Sequence, residues 1–179
     1  YIILNNDKNL QNKNLKFFEK LVKERASKKP IAYLINKKFF WNSDFIVTSD
    51  TLIPRPDTEL LIEQILNLTK YKSKMNILDI GVGSGCILLT ILKERKNFYG
   101  TGIDISKNCL NISKINAKKL KVEGRAKFYK TDVDKFCFGK YDLIVSNPPY
   151  INKLNLKYLE RDVVKYEPRL ALDGGLDGL

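Results

Sequence analysis

Apolar residues first fall into a helical rhythm. Over residues 13–27 (KNLKFFEKLVKERAS) Leu15, Phe18, Leu21 and Val22 recur at three- and four-residue intervals. That spacing predicts a helix, which Asn12 or Asn14 can cap and Pro30 helps to end. The rhythm then shortens. Residues 31–41 (IAYLINKKFFW) and 44–53 (DFIVTSDTLI) read as two β-like runs flanking Asn42-Ser43, a hairpin turn. Pro54-Arg55-Pro56 enforces an extended approach, because each proline disfavours the α region in the residue before it. Asp57 or Thr58 can cap a following helix with Leu61, Ile62, Ile65, Leu66 and Leu68 on its apolar face.

From residue 75 strand and helix alternate. Strands are predicted at 75–80 (MNILDI), 98–104 (FYGTGID), 126–132 (AKFYKTD) and 141–147 (YDLIVSN). Between them lie a helix over 84–95, with Ile87, Leu88, Ile91 and Leu92 inward, and one over 107–120, using Leu110, Ile115 and Leu120. This order implies an α/β, Rossmann-like fold: a mostly parallel sheet with helices on both faces and its ligands at the carboxyl edge. No internal repeat is visible. All ten glycines lie after residue 80, so the two parts of the chain are built differently.

Two loops carry candidate chemistry. Asp79-Ile80-Gly81-Val82-Gly83-Ser84-Gly85 joins the first of these strands to its helix. Its glycines permit positive φ and close approach of a ligand, and N–H groups at the helix start can meet an anionic group. Asp104, 19 residues after Gly85 at the next strand end, can accept hydrogen bonds from both hydroxyls of a ribose. The G-x-G-x-G spacing is not the dinucleotide G-x-G-x-x-G. With the preceding acid Asp79 it resembles motif one of the methyltransferases that use S-adenosyl-L-methionine (SAM). Asp132-Val133 ends the third strand, where an adenine edge would lie. Asp132 or the adjacent main chain can bind the exocyclic amine, and Val133 can pack on the ring.

The second loop is Ser146-Asn147-Pro148-Pro149-Tyr150. Consecutive prolines cannot continue a ladder, so they make a stiff turn that fixes Asn147 and frees the Pro148 carbonyl. The Asn147 side-chain oxygen and that carbonyl can accept both hydrogens of a planar nitrogen. This orients a weak nucleophile toward a methyl group without a titrating base. Tyr150 can pack on a flat substrate. Asn-Pro-Pro-Tyr after the fourth strand resembles enzymes that methylate planar nitrogen, either adenine N6 in DNA or RNA or the glutamine of a protein.

Composition narrows the chemistry. The chain has no histidine, which removes His-based acid–base catalysis and His metal ligands. Cys86, Cys109 and Cys137 fit no Cys-x-x-Cys pattern, so reduced thiols and no metal site are expected. No apolar run approaches a membrane span. Net charge is +12, from 26 Lys and 6 Arg against 20 acids. Such a charge favours encounter with an anionic partner, yet the dominance of Lys over Arg argues against bidentate readout of bases.

The wider sequence resembles one family. LIPRPDTELLIEQIL (52–66), LDIGVGSGCI (78–87), DLIVSNPPYI (142–151) and YEPRLALDGGLDGL (166–179) match, in order, the release factor glutamine methyltransferases, and the resemblance extends from Arg25 onward. It implies SAM-dependent N5-methylation of the Gln in the Gly-Gly-Gln loop of class I peptide chain release factors. N6-adenine methylation of DNA or RNA is the alternative. It further implies that Gly81, Val82, Gly83, Ser84 and Gly85 line the methionine end of SAM, that Asp104 binds its ribose, and that Asn147, Pro148, Pro149 and Tyr150 hold the glutamine amide, with Asn147 also bordering the cofactor. Residues 55–59 would close over the site, and Glu167-Pro168-Arg169 would brace the loop after Asn-Pro-Pro-Tyr. Val133 stands where some members carry an aromatic.

The implied organisation is a remnant of a helical N-terminal domain (1–30), a β-hairpin linker (31–53) and a methyltransferase domain (54–179) lacking its last strands. The chain opens on Tyr1 and is read as part of a longer protein, unstable or inactive alone, with the strand before Asn147 left at a sheet edge. A cytoplasmic monomer acting on a protein, with nucleic acid contact incidental and no membrane association, completes the expectation.

Overall fold

The computed structural model describes residues 9 and 11–178. The other residues of the expected N-terminal segment 1–30 lie outside them. Helix α1 (Asn12–Ala26) follows the predicted rhythm, but its N-cap is Gln11, without a side-chain bond. Asn12 and Asn14 fall inside the first turn and cap nothing. No residue of α1 is buried.

Pro30 starts a helix as well as following one. Its carbonyl accepts from the N–H groups of Tyr33 and Leu34 at 3.0 and 3.1 Å, so Ile31–Leu34 form a single turn, α2, where a β-like run is expected. Pro30 is the N-cap, with an extended ψ of 138°, where its missing N–H leaves no intrahelical bond unmade. The hairpin itself is β1 (Lys37–Phe40) against β2 (Ser43–Ile46), with Phe40 paired to Ser43. Its turn is therefore Trp41-Asn42, one residue earlier than the sequence suggests, with Trp41 at φ +50°. Residues 47–53 leave the ladder.

Helix α3 (Asp57–Leu68) is preceded by Pro56 and has no side-chain cap, so neither Asp57 nor Thr58 serves as one. It buries Ile62 and Ile65, whereas Leu68 is exposed. Strands β3 (Asn76–Ile80), β4 (Tyr99–Asp104), β5 (Ala126–Lys130) and β6 (Leu143–Ser146) form one parallel sheet in the order β5-β4-β3-β6. Helices α4 (Cys86–Glu94) and α5 (Lys107–Lys119) connect the first three. A short α6 (Arg161–Tyr166) follows β6.

The steps from β3 to β4 to β5 run in one direction. Right-handed crossovers therefore put α4 and α5 on the same side. That face holds the main core, including Ile77, Leu88, Ile91, Phe98 and Val145. Helix and sheet meet closely there: a Cβ on Gly100 would lie 2.5 Å from Leu88. On the opposite face Tyr99, Tyr129 and Ile144 are exposed. Among the described residues, helices cover one face of the sheet and not both. Among the described residues strand β6 pairs only with β3 and stands at the sheet edge, as expected.

Helix α5 turns a polar stripe inward. Ile115, expected in the core, is half exposed, while Ser113 and Asn116 are fully buried. The reason is a set of bonds from Asn116. Its Oδ1 accepts from the Ile46 N–H at 2.8 Å, and its Nδ2 donates to the carbonyls of Ile46 and Ser84, each at 2.9 Å. One side chain thus ties the hairpin to the glycine loop. Replacing Asn116 with Ala orphans the buried Ser84 carbonyl and the partly buried Ile46 groups, and a loss of about 2–3 kcal/mol is expected. Denaturant unfolding should show a lower midpoint at unchanged slope; an unmoved midpoint would refute the tie.

Candidate functional site

The sheet order reverses at β3, with β4 on one side and β6 on the other, and a ligand crevice belongs at such a switch point. The loops leaving β3 and β6 are the glycine loop and the Asn147–Tyr150 turn. They border a cavity of about 460 Å³, a size usual for small-molecule sites.

The glycine loop is held from below. The N–H groups of Gly81 and Val82 both donate to the Ile103 carbonyl, at 2.9 and 3.0 Å. Gly83 donates to Asp104 Oδ2 at 3.0 Å, and Ser106 donates to Asp104 Oδ1 at 2.8 Å. Ser113 Oγ donates to the Gly83 carbonyl at 2.7 Å. Asp104 therefore fastens the loop as well as facing the cavity. Each of its oxygens keeps a lone pair for a ligand hydroxyl.

Gly81, with φ +73°, has no protein atom within 4 Å of where a Cβ would sit and opens on the cavity. Val82, Gly83, Ser84, Asp104, Asp132, Val133, Asn147 and Pro149 line it too. Gly85 does not. It sits behind the loop at φ +81°, where a Cβ would meet Leu89 at 2.7 Å, so its part is conformational. Strand β5 stops at Lys130, and Asp132 and Val133 lie just beyond it. Asp132 caps the next short turn by accepting from the Asp134 N–H at 3.2 Å.

A second cavity, about 390 Å³, adjoins the first and is lined by Asn147, Pro148 and Tyr150. Asn147 belongs to both. Ser146 Oγ donates to the Ile80 carbonyl at 2.9 Å, fixing the start of the turn against β3. The turn is braced by the 172–175 segment: Ile151 donates to the Leu172 carbonyl at 3.2 Å and Gly174 to the Ile151 carbonyl at 2.9 Å. A Cβ on Gly174 would lie 2.9 Å from the Pro149 carbonyl oxygen, so the approach needs glycine. Glu167 takes no part in this brace. Its carboxylate turns instead to Ile53 and Arg55.

Of residues 55–59, Arg55 and Thr58 line both cavities. Glu59 points elsewhere and accepts from the Trp41 N–H at 2.7 Å. Sequence reasoning missed Asp50, Ser106 and Cys109 on the cavity wall. A Ser two residues after a strand-end acid, opening a helix, was the available signal for Ser106. Among the described residues no group of three or more His, Cys, Asp or Glu is placed to hold a metal, and no helix is long and apolar enough to cross a membrane.

Asp79 lies under the loop, 1% exposed. Its Oδ2 accepts from the Leu88 N–H at 3.3 Å and its Oδ1 has no partner among the described residues. Burial pushes this carboxyl up to about 7; the Leu88 bond opposes the shift and the Asp104 charge adds to it. A group whose proton is held more tightly in the folded state stabilises it fully below the unfolded value, about 4. That contribution is lost as pH rises through about 7. Asp79→Asn cannot ionise, so its stability should gain on the wild type from pH 4 to pH 8, by at most about 1.4 kcal/mol per pH unit. Parallel pH profiles would contradict this reading of Asp79.

The family model described as "Methyltransferase small domain" matches residues 55–176. Curated relatives match nearly the whole chain. A protein of Rhodospirillum rubrum named "Release factor glutamine methyltransferase" is 39% identical over 99% of this chain and 54% of its own length. One of the same name from Buchnera aphidicola subsp. Acyrthosiphon pisum is 40% identical over 100% of this chain and 64% of its own length. The chain thus spans between about half and two thirds of the relatives it matches. A solved SAM-dependent methyltransferase from Geobacter sulfurreducens, in complex with S-adenosyl-L-homocysteine, is 26% identical over 48% of this chain and 34% of its own, with a TM-score of 0.43.

Proposed function

This chain belongs to the methyltransferase small domain family, and from that premise we infer that it binds SAM in the larger cavity and methylates the glutamine side-chain nitrogen of class I peptide chain release factors. The observation that carries this reading is Asn147, which lines both cavities at the turn leaving β6. A nucleoside cofactor on one side of it and a side-chain amide on the other can react through the shared wall.

The residues present suit the cofactor. The open cradle at Gly81 admits close approach of backbone. Asp104, at a strand end, suits ribose hydroxyls, and Asp132 and Val133 suit an adenine edge and face. SAM supplies a sulfonium methyl group to an in-line nucleophile and leaves as S-adenosylhomocysteine. The chain's own contribution is orientation. The Asn147 side-chain oxygen and the Pro148 carbonyl accept the two N–H hydrogens of the amide and hold its nitrogen toward the methyl group. As the C–N bond forms, the same oxygens stabilise the growing positive charge on that nitrogen. One of the two N–H protons is then released to solvent, restoring the neutral N-methyl amide, so no titrating side chain is required in a chain that lacks histidine.

Relatives named for release factor glutamine methylation support glutamine over adenine as the acceptor. The three-part division at residues 30 and 53, action as a monomer and action in the cytoplasm belong to the same reading. Transfer of isotope-labelled methyl groups tests it. Label should enter a purified class I release factor and vanish when the Gln of its Gly-Gly-Gln loop is replaced. Label appearing in DNA or rRNA adenine instead would overturn the proposal in favour of N6-adenine methylation.

A further inference from the structure

The chain carries 32 basic residues, yet the larger cavity admits almost none of them. Its wall includes three acids, Asp50, Asp104 and Asp132, and among the described residues a single cation, Arg55. Among the described residues Arg55 is also the only cation lining the adjoining cavity. A guanidinium offers five N–H donors in a rigid fork. The fold uses one nitrogen: Nη2 donates to Glu167 Oε1 at 2.6 Å. Among the described residues, Nε and Nη1 have no protein partner.

Glu167 is unusual in its own right. Its side chain is 1% exposed, and its second oxygen, Oε2, accepts from the Ile53 N–H at 3.3 Å. Burying a carboxylate is costly even when it is paired, so such a pair is weak as a source of stability and strong as a fixer of geometry. The surroundings hold it still. Tyr33 donates its buried hydroxyl to the Thr51 carbonyl at 2.7 Å, and Tyr33, Val47 and Ile53 pack together with Tyr166 against them. Arg55 is therefore anchored from behind while its remaining donors stay available at the cavity wall.

We propose that Arg55 binds the carboxylate of the methionine moiety of SAM and that Glu167 is the positioning residue that holds it there. The inference rests on the reading of the larger cavity as the SAM site. The charges match. The sulfonium and the ammonium of SAM are cationic and suit a wall rich in acids, while its one anionic group needs a donor. Arg55 shares its wall with Asn147, so the carboxylate end lies beside the reacting centre and away from Asp132 and Val133. A carboxylate–guanidinium contact, which can be bidentate, gives both affinity and a fixed orientation.

The test compares two ligands, SAM and decarboxylated SAM, by calorimetric affinity in the full chain. The wild type should prefer SAM by at least about tenfold, the scale of one charge-assisted contact. Arg55→Met combined with Glu167→Gln, which leaves no unpaired buried charge, should abolish the preference. Glu167→Gln alone should reduce it, and Arg55→Lys should retain part of it. Because each variant is its own reference, a general loss of folding cancels from the ratio. An unchanged preference in the double variant would overturn the assignment of Arg55 while leaving SAM binding intact. Failure of the wild type to bind either ligand would overturn the SAM site itself, and the inference with it.

Discussion

Asn147→Ala is expected to lower methyl transfer by at least about a hundredfold, the scale of losing one preorganised hydrogen-bonding group in an active site. SAM affinity should stay within a few-fold of the wild type. The split follows from position. Asn147 lines both cavities, and in our reading the glycine loop and Asp104 hold the cofactor side without it. On that reading the variant loses one of two acceptors for the amide hydrogens. The nucleophile then meets the methyl group with its orientation unset. Steady-state rates together with cofactor titration give the answer. Retained turnover would remove Asn147 from the mechanism, and a parallel collapse of SAM affinity would assign it to cofactor binding.

Asp104→Ala should act the other way round, with SAM affinity falling by about a hundredfold. Its two oxygens hold the N–H groups of Gly83 and Ser106 at 3.0 and 2.8 Å. The same carboxylate is the ribose acceptor in our reading. Hydrogen bonds to a charged group contribute about 1.5–3 kcal/mol each, and a hundredfold corresponds to about 2.7 kcal/mol. The loop also loses its fastening to β4, so the effect is expected to exceed that of removing a single ligand contact. Calorimetric titration with S-adenosylhomocysteine checks this. Affinity within threefold of wild type, on the order of 0.6 kcal/mol, would show that Asp104 neither shapes the loop nor meets the ribose.

The region from residue 75 to 150 was the most legible in the sequence, for a physical reason. Its strands are short apolar runs, its helices have apolar faces, and the glycine and proline loops punctuate them. Local pattern and tertiary placement agree there. They part company where burial depends on a distant partner. Ile115 reads as core, yet Asn116 takes the inward place because it satisfies Ile46, 70 residues away. Ile31–Leu34 reads as strand, since four apolar residues are too few to show a period and the helical turn depends on Pro30. The double helix coverage of the sheet was inferred from strand–helix alternation. Alternation alone, stepping one way from β3 to β5, covers a single face.

The site divides along the same line. Gly81, Gly83, Asp104 and Asn147 were legible because each sits at a strand end with a local signature. Arg55 and Glu167 were visible as residues but not as a pair. Their contact spans 112 positions, and nothing near Glu167 signals a buried carboxylate. The Glu167 carboxylate is not the loop brace for the same reason: the 172–175 segment does that work through backbone bonds, which leave little side-chain signature apart from the glycine at 174.

The most direct test of the account is a crystal structure with S-adenosylhomocysteine bound. The account predicts the methionine end against the Gly81–Ser84 loop, the ribose at Asp104 and the adenine at Asp132 and Val133, with the sulfur open toward the Asn147 side-chain oxygen and the Pro148 carbonyl. A sulfur facing away from Asn147, or a Pro148 carbonyl turned out of the shared wall, would contradict it.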